Sequence, residues 1–113
     1  MLFRSDKDKT VWVIINLISN AIRYSNENSK INISIEYLEN KEYLIVTDYG
    51  KGIDLKYKDK IFDRYFRIPG SDNEGSGLGL AICKEFIEAQ GGKIMVETEV
   101  GVGSTFTIVL NCT

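Results

Sequence analysis

The order of sequence periodicities predicts an α+β fold, a two-layer α/β sandwich whose mixed, mostly antiparallel sheet is covered on one face by helices. Three observations carry this. A long run of helical spacing comes first, two adjacent strand-like runs follow it, and a second helical run precedes a terminal pair of runs that alternate around glycines. Strands that cluster in sequence, rather than alternating singly with helices, favour antiparallel pairing with the helices segregated to one side. With 113 residues the chain forms one domain, 1–113, long enough to bury roughly 65% of its unfolded surface without disulfide or metal support.

Each element has its own signal. "LFRSD", residues 2–6, reads as the stub of a strand, with Asp6 as N-cap of the helix that follows. Across residues 7–25 Val11, Ile14, Ile15, Ile18, Ala21 and Ile22 recur at helical spacing and are expected to form the core-facing stripe. "INISIEY" alternates strictly, with Ile31, Ile33, Ile35 and Tyr37 on one face, which predicts a half-buried strand. After "LENKE" turns the chain, "YLIVTD" is rich in β-branched residues and is expected to pair antiparallel with it, ending at Asp48. "IFDRYFR" brings a short helical segment with Phe62 in the core. "LGLAICKEFIEAQ" then gives a helix closed by Gly91 and Gly92, and "KIMVETE" and "STFTIVL" form a terminal hairpin.

Composition narrows the chemistry. The 14 basic and 16 acidic residues are scattered and leave a net charge of −2, which argues against a nucleic-acid or membrane surface. The longest uninterrupted apolar run, residues 11–15, is far short of the ~20 residues a membrane span requires, and no signal-peptide pattern opens the chain. Cys83 and Cys112 have no metal or disulfide pattern and read as small hydrophobes in a reducing cytoplasm. There is no histidine, so the commonest general base is missing and no phosphohistidine can form within these residues.

Four stretches carry candidate chemistry. In "NLISNAIRYS", Asn16, Asn20 and Arg23 fall on one narrow polar stripe of the first helix, flanked by Trp12, Val13 and Leu17. A carboxamide in such surroundings needs partners. Two carboxamide oxygens one turn apart suit a hard cation such as Mg²⁺, and Arg23 suits a phosphate. "DYGKGI" sets Asp48 at a strand end ahead of Gly50 and Gly52, where a carboxylate can accept from the exocyclic amine of adenine and reject guanine. "GSGLGL" opens the second helix with alternating glycines, a backbone-amide cradle for phosphate. Leu80 stands where a dinucleotide fingerprint requires glycine, and Ser76 where a P-loop requires lysine. In "IFDRYFR", Arg64 and Arg67 adjoin that glycine loop and suit a phosphate.

In this order the four stretches resemble the N box, first glycine box, F box and second glycine box of the catalytic and ATP-binding domain of sensor histidine kinases, within the GHKL superfamily of gyrase, heat-shock chaperone and mismatch-repair ATPases. "GGKIMVETEVGVGSTFTIVL" resembles the family's closing hairpin, so the likeness covers about residues 2–110. The resemblance implies the GHKL ATP-binding fold, with ATP and Mg²⁺ as ligands. Carried over by position, Asn20 ligates Mg²⁺ and Asn16 assists at the metal and phosphates. Arg23 meets phosphate, Tyr24 lines the pocket, Asp48 takes the adenine amine, Gly50 and Gly52 admit the base and Ile53 packs on it. Phe66 joins the ATP site and Arg67 is a looser catalytic match. Gly75, Ser76, Gly77, Leu78, Gly79 and Leu80 hold the phosphates, and Ser104 supports Asp48. The lid, residues 67–74, is shorter than many, and Gln90 replaces a frequent histidine.

The resemblance further implies an excised C-terminal fragment of a kinase, lacking the dimerisation and phosphoacceptor domain. It implies transfer of the γ-phosphoryl group of ATP to a histidine on that separate helical domain, for relay to a response regulator receiver domain. The domain would be cytoplasmic and without membrane contact of its own, its parent being of a kind often anchored in the cell membrane. Related hydrolases and serine kinases carry a glutamate base one turn before the metal asparagine, where this chain has Asn16. An amide accepts no proton at neutral pH, whereas a neutral imidazole is already a nucleophile. A nucleotide-binding regulatory module without phosphotransfer is the alternative from another class, and a GHKL-type ATPase a weaker one.

Overall fold

The computed structural model describes residues 6–26, 28–69 and 78–112, so the strand stub at 2–5 and most of the glycine loop lie outside the described residues. The elements are α1 (Asp6–Tyr24), β1 (Ile31–Leu38), β2 (Lys41–Asp48), a 3₁₀ turn (Leu55–Tyr57), α2 (Gly79–Ala89), β3 (Lys93–Glu99) and β4 (Gly103–Asn111). The four strands form one sheet in the order β1-β2-β4-β3. Every pairing among the described residues is antiparallel, in keeping with the expected mostly antiparallel sheet. Glu39 and Asn40 both have positive φ, 52° and 63°. That is the pattern of a tight two-residue hairpin whose twist matches its strands.

α1 packs on β2 and α2, and α2 packs on β3, so both helices cover one face of the sheet. Between the layers Val13 and Leu17 of α1 meet Leu44 and Val46 of β2, Cys83 and Ile87 of α2, Val96 of β3, and Phe106 and Ile108 of β4. Trp12 and Phe86 close the helix–helix contact edge to face, 5.6 Å between centroids. Gln90, at the C-cap of α2, ties its end to α1 through Thr10 (3.4 Å), and its amide also donates to the Phe86 carbonyl.

The structure rotates α1 from its expected orientation. Val13 and Leu17 are 0% and 1% exposed, while Val11, Ile15 and Ile22, assigned to the core from periodicity, are 48%, 56% and 64% exposed. Of the expected stripe only Ala21 is buried. The helix is apolar around more than half its circumference, so spacing alone finds two apolar stripes and cannot tell which one this sheet receives. The same limit affects β1. Ile33 and Ile35 face the same side of the sheet as their register partners Val46 and Leu44, yet both are exposed. β1 is an edge strand and lies beyond the cover of α1.

Two smaller corrections follow from packing. "IFDRYFR" forms a succession of turns rather than a helix, with Phe62 packed on Phe106 as expected of a core residue. Cys83 is buried in the core, where desolvation pushes its thiol up to about 12, but Cys112 is exposed.

Leu17→Ala is expected to cost about 2–5 kcal/mol in urea unfolding, whereas Ile22→Lys, on the exposed stripe, should change stability by no more than about 0.5 kcal/mol. A thiol reagent at pH 8 should label Cys112 alone until the chain unfolds. Because the folded-state pKa of Cys83 is the higher one, its contribution to stability is whole below about pH 8.5 and is lost as pH rises, the unfolded chain ionising first. Cys83→Ala should remove that part of the pH slope.

Candidate functional site

A cavity of about 600 Å³ opens between α1, the start of α2 and the adjoining ends of β2 and β4. Along α1 the spacing that put Asn16, Asn20 and Arg23 on one stripe holds, and all three line the cavity with Tyr24. Asp48 ends β2 on its wall, Ser104 reaches it from β4, and Gly52 and Ile53 enter from the loop after β2. Phe66 and Arg67 border it on one side and Leu78, Gly79 and Leu80 on another. Gly75, Ser76 and Gly77 lie outside the described residues.

The two ends of the cavity differ in chemistry. At one end sit Asp48 and Ser104, 6% and 5% exposed, the buried polar or charged residues among those described. They are register partners across β2 and β4. One oxygen of Asp48, Oδ1, accepts from the Gly50 amide at 3.0 Å. A carboxylate has about four acceptor positions, so capacity remains for a donor arriving in the cavity. At the other end α2 begins at Gly79 with no side-chain cap and no acidic residue in its first turn. The amides of that turn have no intrahelical acceptor, and with the helix dipole they suit an anion. Arg23, Lys51 and Arg67 bring positive charge to the same cavity.

Asn16 meets α2 directly. A Cβ on Gly79 would stand 2.7 Å from Asn16 Oδ1, so the carboxamide oxygen is aimed at the helix start, while Asn16 Nδ2 donates to the Trp12 carbonyl at 3.4 Å. Oxygen donors from Asn16 and Asn20 beside an anion site fit a hard cation that also keeps water and phosphate oxygens.

The glycines of "DYGKGI" answer first to the protein. Gly50 does not line the cavity, and a Cβ there would fall 2.0 Å from the Tyr24 carbonyl at the end of α1. Gly52 has φ +72°, and its Cβ would fall 2.2 Å from the Glu99 carbonyl. Their sequence role as openings for a base is therefore joined by a backbone requirement at both positions. Arg64 is not at the cavity: its guanidinium bonds both carboxylate oxygens of Glu85 on α2, at 2.6 and 2.9 Å. That carboxylate raises the Arg64 pKa, and the pair fastens the turn segment to α2. Tyr65 takes φ +65°, unusual for an aromatic residue, just before Phe66 enters the cavity wall.

Sequence reading passed over Lys51, although it stands between the two glycines of a motif already singled out. Its Nζ lies 6.0 Å from the Tyr24 ring centroid. Trp12 and Ser19 extend the cavity stripe of α1 by the same helical spacing that linked Asn16 to Asn20 and Arg23.

The sequence matches the family of histidine kinase-, DNA gyrase B- and HSP90-like ATPases over residues 5–113. It is 42% identical over 110 residues to the sensor histidine kinase WalK of Bacillus subtilis, an alignment that spans 93% of this chain and 18% of WalK. The fold superposes on the mycobacterial sensor histidine kinase MprB with a TM-score of 0.86 at 27% identity, covering 96% of this chain and 75% of that one. The catalytic domain of histidine kinase ThkA gives 0.82 at 36% identity, covering 95% and 68%. The chain thus spans about a fifth of the length of the curated relatives it matches.

Gly52 and Gly101 both have positive φ, but a Cβ on Gly101 meets nothing within 4 Å. Gly101→Ala is expected to cost only the conformational term, about 1–2 kcal/mol. Gly52→Ala should cost at least about 1 kcal/mol more in denaturant titration, because the clash with backbone is added to the same strain.

Proposed function

The chain belongs to the family of histidine kinase-, DNA gyrase B- and HSP90-like ATPases, and on that premise we propose that residues 1–113 are the catalytic domain of a two-component sensor histidine kinase. It binds Mg²⁺-ATP and transfers the γ-phosphoryl group to a histidine on a separate helical dimerisation domain of the same parent, for relay to a response regulator. The observation that carries the reading is the polarity of the cavity. A buried acceptor, Asp48, occupies one end, and an uncapped helix start with nearby cations occupies the other. A cavity of about 600 Å³ lies within the ~300–1,000 Å³ usual for a small-molecule site.

In this reading Asp48 accepts from the adenine amine and Ser104 supports it, while Ile53, Phe66 and Tyr24 pack around the base. Leu78, Gly79 and Leu80 hold phosphate through the start of α2, and Gly75, Ser76 and Gly77 contribute from the preceding loop. Arg23 and Lys51 balance phosphate charge, with Arg67 at the transferred group. Asn20 holds Mg²⁺ and Asn16 assists. Bound metal neutralises charge on the phosphates, and positioning does most of the remaining work in phosphoryl transfer. Asn16 cannot act as general base, which leaves water inactive and suits an imidazole acceptor. With no histidine in the chain, the acceptor lies elsewhere. Among the described residues no helix is long and apolar enough to cross a membrane. The kinase reading itself, with ATP as substrate, is what places the domain in the cytoplasm, whatever anchors the parent.

ATP at 100 times its Kd is expected to stabilise the fold by roughly 2.7 kcal/mol, seen as a melting shift. Asp48→Ala should abolish most of that shift, and GTP should produce little of it. Incubated with Mg²⁺-ATP and a separate histidine-bearing dimerisation domain, the chain should label that domain with acid-labile, base-stable phosphate and leave itself unlabelled. Rapid Mg²⁺-ATPase activity of the isolated chain, or preferred transfer to serine, would count against the proposal.

A further inference from the structure

Two adjacent residues of α2 hold the turn segment that crosses its exposed side. Lys84 Nζ lies 5.7 Å from the ring centroid of Phe62, and both carboxylate oxygens of Glu85 accept from one nitrogen of Arg64, Nη2, at 2.6 and 2.9 Å. The next residue, Tyr65, has φ +65°. A left-handed backbone is costly for a bulky side chain and persists only where its surroundings impose it. Tyr65 is 69% exposed, so its own packing does not impose it. What does lies on either side. Arg64 is tied to α2, and Phe66 sits in the cavity wall against Tyr57, 5.8 Å between ring centroids, with its amide donating to the Asp63 carbonyl at 3.3 Å. Arg67, two residues beyond Tyr65, lines the cavity, whereas neither Arg64 nor Glu85 does.

We propose that Arg64 and Glu85 are positioning residues for phosphoryl transfer: their ion pair keeps Tyr65 left-handed, and that turn directs Arg67 to the cavity beside the start of α2. This rests on the kinase reading above. An exposed ion pair adds little to stability, but the cost of one left-handed residue is of similar size. The pair is therefore enough to decide between this turn and an ordinary one with negative φ. Phe66 keeps its own hold on Tyr57, so opening the pair redirects Arg67 and leaves the ring in the cavity wall. Glu85 also belongs to the helix whose uncapped first turn suits an anion. Arg67 and the amides of that turn are thus placed relative to one rigid element, which is what positioning for phosphoryl transfer requires.

The test is single-turnover transfer from Mg²⁺-ATP to a separate histidine-bearing dimerisation domain, read as the maximal rate at saturating acceptor. Calorimetry on the whole chain gives ATP affinity alongside. Glu85→Ala should lower the maximal rate about fivefold, the factor one such pair can contribute to a conformational balance. Its ATP affinity should stay within about twofold, which also shows that the variant is folded. Combining Arg64→Glu with Glu85→Arg should restore the rate, because the pair is then reversed but intact. Tyr65→Asn accepts a left-handed turn without help from the pair, so adding Glu85→Ala to it should cost less than about twofold. A maximal rate unchanged by Glu85→Ala would overturn the proposal, as would a loss confined to the KM for the acceptor domain. So would a fivefold loss that persists both in the reversed pair and in the Tyr65→Asn background. An unaltered protein that binds ATP but transfers nothing to the histidine would instead overturn the reading on which it rests.

Discussion

The pairing of β2 with β4 is the constraint on which most of this molecule depends. Eight consecutive pairs run from Lys41 opposite Asn111 to Asp48 opposite Ser104, joining segments more than fifty residues apart. One set of alternate side chains, Leu44 and Val46 against Ile108 and Phe106, supplies the floor of the core. The last pair of the same ladder places a carboxylate and a hydroxyl side by side at the cavity. A shift of one residue would turn both sets to the opposite face at once. The packing that stabilises the sheet and the polar pair of the candidate site are thus fixed by one register.

α1 illustrates how a single helix serves three surroundings. Val13, Leu17 and Ala21 face the sheet, Asn16, Asn20 and Arg23 face the cavity, and Val11, Ile15 and Ile22 face outward. Each set recurs at intervals of three, four or seven, the condition for sharing a helix face. The end of this helix also limits the loop after β2, because the Tyr24 carbonyl occupies the space a side chain at Gly50 would need. Core packing and the shape of the cavity are therefore coupled through the axial position of α1.

α2 is held at its C-terminus and part-way along its length by contacts outside the cavity. Gln90 reaches Thr10 at its C-terminus, and the Arg64–Glu85 pair fastens the turn segment to its exposed side. The pair is exposed, so its stabilising value is small. What these contacts set is where the uncapped N-terminus points, and Gly79 completes the arrangement by letting Asn16 approach it closely.

Local periodicity alone determined the helices, the strands and most of their limits, because a half-buried strand and an amphipathic helix each leave a repeat in the chain. The four motifs, read in order, were enough to identify the family, since glycines before a helix and a carboxylate ending a strand are local arrangements. Gly50 shows where a local reading falls short: the sequence marks it as special but does not reveal that the Tyr24 carbonyl is the reason. Lys51 was passed over because a lysine is not unusual where it stands. Its place at the cavity arises from what is opposite it, the Tyr24 ring. Tertiary structure alone decided the strand order, which of the two apolar stripes of α1 is core, and why Ile33 and Ile35 remain exposed on the edge strand. Periodicity records that a face is apolar, but burial depends on whether another layer extends over it, and that depends on residues far away in the sequence.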